Sequence, residues 1–242
     1  MFTDNIIISK LQEFEVSTAA LLLAESMCTN PNHIFLFGEK SFKGIEMQQK
    51  MFKTVLTNPA NNSFTAKMNG EIIGSMTYTD SKHCQMPKKQ LLFELPKYAR
   101  LFGWRLPKVI RWRANWEGHD CTLPHLHFGP LGVATTHQGK GVGKVLLRYF
   151  CDSLDENNQI GYLETDKEVN VLFYEKFGFQ VIEEDILFGS PNWFMVRETK
   201  INSDYKWKDS SNSYNLQDIS QKHTLHITSK REEQGKYRLD PL

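Results

Sequence analysis

The chain is poor in cysteine, with Cys28, Cys84, Cys121 and Cys151 as its four. No two of them stand at a CxxC spacing, and they are too few for a dense disulfide framework. Free thiols in a reducing compartment are expected. Net charge is nearly missing as well: 29 basic residues oppose 28 acidic ones, a formal +1. That balance argues against a nucleic-acid or membrane partner. No apolar run approaches the ~18–20 residues that span a bilayer. The start, Met-Phe-Thr-Asp-Asn, has no basic stretch leading into an apolar core and no small-residue cleavage site, so a cytoplasmic protein is the expectation. Internal repeats are lacking too. What remains is the composition of a soluble globular protein, 40% hydrophobic and 24% charged over 242 positions. It is enough for one sizeable core or at most two small domains.

The pattern along the chain alternates between helical and extended periods. Ile6-Ile7-Ile8 reads as a first strand. Ser17 or Thr18 is placed to cap a helix through Ala19–Ala24 that ends near Asn30-Pro31. A second helix is predicted from about Ser41 to Leu56. Phe64–Met68 and Glu71–Tyr78 then alternate around Asn69-Gly70, a pair that tolerates positive φ and favours a type I′ hairpin turn. A strand is predicted from Thr122 to Ala134. Gly129-Pro130 lies inside it, and proline cannot donate to a ladder, so a bulge or open edge is expected there. A helix follows through Val142, Val145, Leu146, Tyr149, Phe150 and Leu154, ending near Asn157-Asn158. Ile160–Thr165 reads as a strand, Glu168–Phe177 as a helix closed by Gly178, and Phe179–Phe188 with Trp193–Arg197 as a last strand pair. This order implies an α/β or α+β layer, a sheet packed on helices. Residues 1–199 carry this pattern. From 200 to 242 the apolar residues thin out, and a flexible polar tail is expected.

Charge is concentrated in one place. Between Ser81 and Trp116 nine Lys and Arg residues face a single acid, Glu94. Leu, Phe and Trp are mixed among them at helical spacing, which predicts two or three short amphipathic helices, broken at Pro96 and Pro107, inserted between strands. A solvated helix face is one reading. A lid over a substrate site, with Trp104, Trp112 and Trp116 as aromatic walls, is another. A membrane or nucleic-acid surface is the third, and the even overall charge argues against it.

The strongest chemical signal is Val133-Ala134-Thr135-Thr136-His137-Gln138-Gly139-Lys140-Gly141-Val142-Gly143-Lys144. A strand runs into a glycine-rich turn that opens a helix. Helix N-termini present unpaired N–H groups and a partial positive charge, and glycines let a ligand approach the backbone closely, so an anion or phosphate site is one reading. A tight turn without a ligand is the other. Two phosphate motifs fit poorly. The P-loop needs Ser or Thr after its lysine, and Lys144 is followed by Val145. The dinucleotide fingerprint needs G-x-G-x-x-G, and Gly139, Gly141 and Gly143 give G-x-G-x-G.

Gln138-x-x-Gly141-x-Gly143 after Leu131-Gly132-Val133 resembles motif A of the GNAT superfamily of N-acetyltransferases. Asn170-Val171-Leu172-Phe173-Tyr174-Glu175-Lys176-Phe177-Gly178-Phe179 resembles its motif B. His127–Val133, Tyr162-Leu163-Glu164-Thr165 and Pro191–Met195 are most similar to the puromycin N-acetyltransferase-like branch. The resemblance implies a mixed, mostly antiparallel sheet, flanked by helices and splayed open at a cofactor slot. It also implies acetyl-CoA as co-substrate. The N–H groups of Gln138, Gly139, Lys140, Gly141, Val142, Gly143 and Lys144 would hold its pyrophosphate. Leu131, Gly132 and Val133 would line its pantetheine arm, Asn170 would hydrogen-bond it, and Tyr174 would stand near its sulfur.

Acetyl transfer needs a neutral amine, hence a base. Glu164, at the end of its strand, is the first candidate. His125 and His127 are rivals or substrate contacts, with Trp104 as a further substrate contact. Val133 N–H is implied as an oxyanion donor and Tyr174 as the proton donor to the leaving thiolate. His125 and His127 could share one zinc, but no Cys, His or carboxylate partner stands at convincing spacing, so no metal is expected. The main expectation is an N-acetyltransferase acting on a primary amine of a small molecule. The alternatives are a protein-amine acetyltransferase and a non-catalytic acyl-CoA-binding module. A homodimer is an open expectation.

Overall fold

The computed structural model describes residues 5–198 apart from Glu39 and Met86. The stretch 200–242, expected to be a flexible tail, lies outside the described residues. The strands are β1 (Ile7–Lys10), β2 (Asn61–Met68), β3 (Glu71–Asp80), β4 (His125–Val133), β5 (Ile160–Thr165), β6 (Gln180–Leu187) and β7 (Ser190–Arg197). The helices are α1 (Val16–Met27), α2 (Pro31–Phe37), α3 (Phe42–Leu56), α4 (Ser81–Cys84), α5 (Lys88–Phe102), α6 (Leu106–Gly118), α7 (Val142–Asn157) and α8 (Glu168–Glu175). One seven-stranded sheet results, in the order β1-β2-β3-β4-β5-β7-β6. Its pairs are antiparallel except for β4 with β5. The α/β sheet flanked by helices is the one expected.

Local chemistry explains most of these elements. Asn69 and Gly70 take φ of 52° and 82°, the two positive values that a type I′ turn demands between β2 and β3. The Ser41 side chain accepts the Gly44 N–H at the start of α3. Along α7 the buried positions Val142, Leu146, Leu147, Phe150, Cys151 and Leu154 form one stripe. That stripe packs on Phe128, Leu163 and Met195 of the sheet. Each such side chain contributes about 1.5–3 kcal/mol of burial.

On the opposite face, α1 presents Ala19, Ala20, Leu23 and Ala24 to Phe52 and Leu56 of α3. It lies directly on β4 because Gly132 has no side chain. A Cβ there would collide with Ser26 Oγ and stand 2.8 Å from Leu23 Cδ2. A third cluster, Leu36, Phe37, Phe102, Trp112 and Leu187, seats the basic insertion α4–α6 against α2.

The structure departs from the sequence reading in several places. A 3-10 turn at Glu13–Glu15 precedes α1, and the Glu15 carboxylate accepts the Gln12 N–H at 2.9 Å. The helix therefore starts at Val16, and Ser17 and Thr18 lie inside it rather than capping it. Pro31 does not follow a helix end but opens α2, where a missing N–H costs nothing. Pro96 does not break α5. The Leu92 carbonyl it leaves without a donor belongs to a residue 70% exposed, where water can take its place. β4 begins at His125, three residues later than expected, and α8 stops at Glu175, before Gly178 turns the chain at φ 85°.

The feature that matters most for function is the junction of β4 and β5. They pair at His125–His127 with Ile160–Tyr162, and beyond that point the ladder ends. On its other edge β4 slips against β3. Phe128 faces Tyr78 while Leu131 faces Met76, so β4 takes one extra residue at Gly129-Pro130. This is the expected bulge, and beside it β4 and β5 stand apart as a cleft.

Candidate functional site

The cleft opens into a cavity of about 600 Å3 lined by both strands, from Gly129 to Val133 on one wall and Glu164 to Lys167 on the other. Ala134 N–H donates to the Ile73 carbonyl at 2.9 Å. By strand alternation the N–H groups of Val133 and Leu131 face away from β3, toward the cleft. Val133 O accepts from Gln138 Nε2 at 3.1 Å, which draws the glycine turn back against the strand.

The turn itself fits an anion. Gly139 and Gly141 take φ of 74° and 90°, conformations that side chains resist. Val145 N–H makes the first bond of α7, to Gly141 O at 3.1 Å. The N–H groups of Val142, Gly143 and Lys144 are thus left without intrahelical acceptors, at the positive end of a 16-residue helix. Gly143 lines the cavity, and the nearest atoms to a Cβ built on it are 3.6 and 3.7 Å away. A larger side chain there would enter the space a ligand needs.

Of the residues singled out for cofactor binding, Leu131, Gly132, Val133, Gln138, Gly143, Asn170 and Tyr174 line this cavity. Gly139, Lys140 and Gly141 belong to the adjoining turn and Val142 and Lys144 to the first turn of α7, outside the cavity lining, and the Val142 side chain is in the core. Asn170 Nδ2 donates to Thr165 Oγ1 at 3.0 Å, tying α8 to the end of β5. Tyr174 is buried among Phe128, Phe173 and Phe179, and burial pushes its phenol above the ordinary tyrosine range.

Glu164 and His127 meet at the same place. His127 Nε2 lies 2.8 Å from Glu164 Oε2, and Glu164 Oε1 is buried without a hydrogen bond among the described residues. Burial works against a charged His127, but the adjacent Glu164 carboxylate outweighs it and the ring is held up to about 10. His125 is directed elsewhere. It sits 3.2 Å from Asp120 and lines neither this cavity nor the next.

A second cavity, about 380 Å3, adjoins the first and shares Met51, Val55, Trp112, Trp116, His127 and Gly129 with it. Leu91, Tyr98, Phe102 and Val109 of the insertion form its far wall. Trp112 and Trp116 therefore line both cavities. Trp104 lines neither: it is 72% exposed, under Arg105 at 4.6 Å. A tryptophan at helical spacing marks an amphipathic helix without telling which face is inward.

Three residues at the site were missed in the sequence. Asp166 accepts the Asn32 backbone N–H at 2.8 Å and anchors the start of α2 beside β5. Asn32 Nδ2 reaches Asn192 Oδ1 at 2.6 Å. His33 is buried against Phe37, Phe52 and Trp112, and its Nδ1 is 2.7 Å from Gln48 Oε1. Burial keeps it below the ordinary imidazole range, so it faces the cavity as a neutral ring. Apart from His33 with Phe37 inside α2, these contacts join residues far apart in the chain, and no local spacing announces them.

The model of the Acetyltransferase (GNAT) family matches residues 32–179. Among solved structures, the chain is similar to one described as histone acetyltransferase HPA2 and related acetyltransferase from Corynebacterium glutamicum. The identity is 16%, with 81% of this chain and 97% of that one covered, at a TM-score of 0.60. An agmatine N-acetyltransferase matches at 12% identity over 81% of this chain and 100% of its own, with a TM-score of 0.55. A ribosomal-protein-S18-alanine N-acetyltransferase from Escherichia coli matches at 13% over 84% and 99%, with a TM-score of 0.51. At these identities the likeness is one of fold.

Proposed function

Because this chain belongs to the acetyltransferase (GNAT) family, we propose that it transfers acetyl from acetyl-CoA to the primary amine of a small molecule, by direct attack in a ternary complex. The observation that carries the reading is the continuity of the site. One cavity joins Gly143 of the turn, the open edge of β4, the Glu164–His127 pair and Tyr174, and it continues into a second chamber under the insertion.

Each residue then has a task. The N–H groups of the glycine turn hold the pyrophosphate, and the outward N–H of Leu131 and Val133 hold the pantetheine arm as an added strand would be held. Bound acetyl-CoA supplies a thioester carbonyl for attack. Glu164 takes a proton from the incoming ammonium, directly or through water, with His127 fixing the orientation of its carboxylate. Val133 N–H steadies the oxyanion. Tyr174 gives a hydrogen bond to the departing sulfur. Its raised pKa keeps the phenol protonated at any working pH, while a thiol titrates near 8.5. Full proton transfer from Tyr174 is thus uphill; the sulfur leaves as a hydrogen-bonded thiolate and takes up the second proton, the one the attacking nitrogen sheds as the amide forms.

The second chamber supports a compact acceptor with an apolar body. Its volume of about 380 Å3 is that of a small-molecule pocket, and more than half of its lining residues are Leu, Val, Ile, Met, Phe, Tyr or Trp. A protein amine is the second reading, since two structures similar in fold are named for protein acceptors. Glu164 and Tyr174 at one cavity weigh against a module that only binds acyl-CoA. Coenzyme A release measured over a panel of amines tests the proposal. Turnover with apolar primary amines, reduced in Tyr174→Phe, is expected. Tight acetyl-CoA binding with no release on any amine would sink it, and turnover only on peptides would move the acceptor to proteins.

A further inference from the structure

The insertion leaves and rejoins the sheet at nearly the same point. Cys84 in α4 stands at its start, Asp120 just after its end, and His125 and His127 on β4 beside both. One ligand atom from each of these four residues lies within 4.8 Å of all the others. The insertion separates Cys84 from His125-x-His127 in the sequence, and Asp120 precedes the pair in a loop whose course only the fold shows.

Hydrogen bonding fixes which atoms are on offer. His125 Nδ1 is 2.8 Å from the Leu123 carbonyl. A carbonyl only accepts, so Nδ1 carries the hydrogen and Nε2 of the neutral ring is a bare lone pair. That Nε2 stands 3.2 Å from Asp120 Oδ1 on a side chain 1% exposed, and neither atom makes an aligned hydrogen bond among the described residues. His127 repeats the arrangement in reverse. Its Nε2–H is taken by Glu164, and its buried Nδ1 is without a partner among the described residues. Cys84 Sγ lies 3.2 Å from Asp120 Oδ2, which Gln85 Nε2 holds in place at 2.8 Å. Two imidazole lone pairs, a thiol and a carboxylate converge, each ring oriented from behind by a carbonyl or a carboxylate.

We propose that Cys84, Asp120, His125 and His127 form a four-coordinate zinc site that pins both ends of the insertion to β4. One thiolate, one carboxylate and two imidazoles suit zinc, and ligand atoms about 2.0–2.3 Å from a tetrahedral centre stand roughly 3.3–3.8 Å apart, against 3.2 Å for His125–Asp120 and for Cys84–Asp120 and an upper bound of 4.8 Å across the set. The Glu164–His127 and Leu123–His125 bonds are the outer contacts that such ligands usually have. With four protein ligands the site is closed, so its role is structural. It holds His127 neutral with its N–H on Glu164 and fixes the wall of the second cavity. The metal site stands whether or not the chain transfers acetyl.

Metal content of the full chain, purified without chelator and desalted, tests it. About one zinc per chain is expected, falling several-fold in Cys84→Ala and in Asp120→Ala. Cobalt(II) added to chelator-treated full chain should give tetrahedral d–d bands with a thiolate charge-transfer band, and Cys84→Ser should lose the latter. The wild-type stoichiometry and spectrum need no variant to fold. A chain that holds no zinc and shows no zinc-dependent rise in Tm overturns the proposal, leaving extra protons on the two histidines as what binds the cluster. Undiminished zinc in both alanine variants overturns it as well, by placing the metal elsewhere.

Discussion

The stretch from β4 to α8 and the stretch from α1 to α6 wall the same cavity with different materials. The first does so with backbone added to a few side chains such as Glu164 and Tyr174: the outward N–H groups of Leu131 and Val133, and Gly143 at the start of α7, backed by the glycine turn. The second does so with side chains from four separate helices, Met27 of α1, His33 of α2, Val55 of α3 and Trp112 and Trp116 of α6. A backbone site needs particular residues mainly where a side chain would intrude, so it leaves a short run of glycines in the sequence. A side-chain site needs shape, and many sequences supply that shape. Glu164 and His127 are side chains of the first stretch, on β5 and β4, and they stand at the meeting point of the two, with His127 lining both cavities.

Substitutions can pull the two walls apart. The largest effect is expected at the meeting point. Glu164→Gln keeps the size of the side chain but removes the proposed base, and kcat should fall about 10²–10⁴-fold. The acetyl-CoA Kd should hardly move, because the backbone wall is intact. A matched loss of kcat and acetyl-CoA affinity, read by steady-state kinetics and calorimetry, would merge the two walls into one.

Next in size is Gly132→Ala, where the walls touch structurally. Its new methyl meets Leu23 Cδ2 and Ser26 Oγ, so α1 must shift from β4. A stability loss of about 1–3 kcal/mol is expected in denaturant unfolding. Unchanged stability would mean that α1 is more loosely seated than the contacts imply. The smallest effects separate two tryptophans of one insertion. Trp116→Ala should raise the acceptor KM roughly tenfold, about 1.4 kcal/mol, with acetyl-CoA affinity unaltered. Trp104→Ala, on the exposed side, should change either quantity by less than about 0.5 kcal/mol. Equal responses from the two would remove the lid from the acceptor wall.

The same contrast explains what could be read in the chain beforehand. Asn69-Gly70, the stripe on α7, the Gly129-Pro130 irregularity and the β5 boundaries followed from local chemistry, and all are present. The glycine turn was legible because its requirement is local. Asp166 capping α2, His33 between Phe52 and Trp112, and Cys84 beside His125 were not, since each joins segments that only the finished fold brings together. Pro96 and Trp104 misled for a related reason. A surface helix tolerates a proline facing water, and an aromatic residue in an amphipathic pattern does not declare its side. The family resemblance reached the fold and the acetyl-transfer chemistry general to the family but not the acceptor, for which the proposed chamber is walled by side chains of the insertion that no motif covers.

The central claim is that the glycine turn and the open edge of β4 bind acetyl-CoA independently of the acceptor wall. Calorimetric titration of acetyl-CoA into the full chain and into Gly143→Leu tests it most directly. A Cβ here stands in ordinary contact, 3.6 and 3.7 Å from Val133 and Phe173, so the side chain starts without a clash; circular dichroism checks that the fold persists while the added atoms fill the cradle. One site per chain in the wild type, weakened about tenfold or more in the folded variant, is the predicted result. No binding by the wild type, or equal affinity in both proteins, would contradict the account.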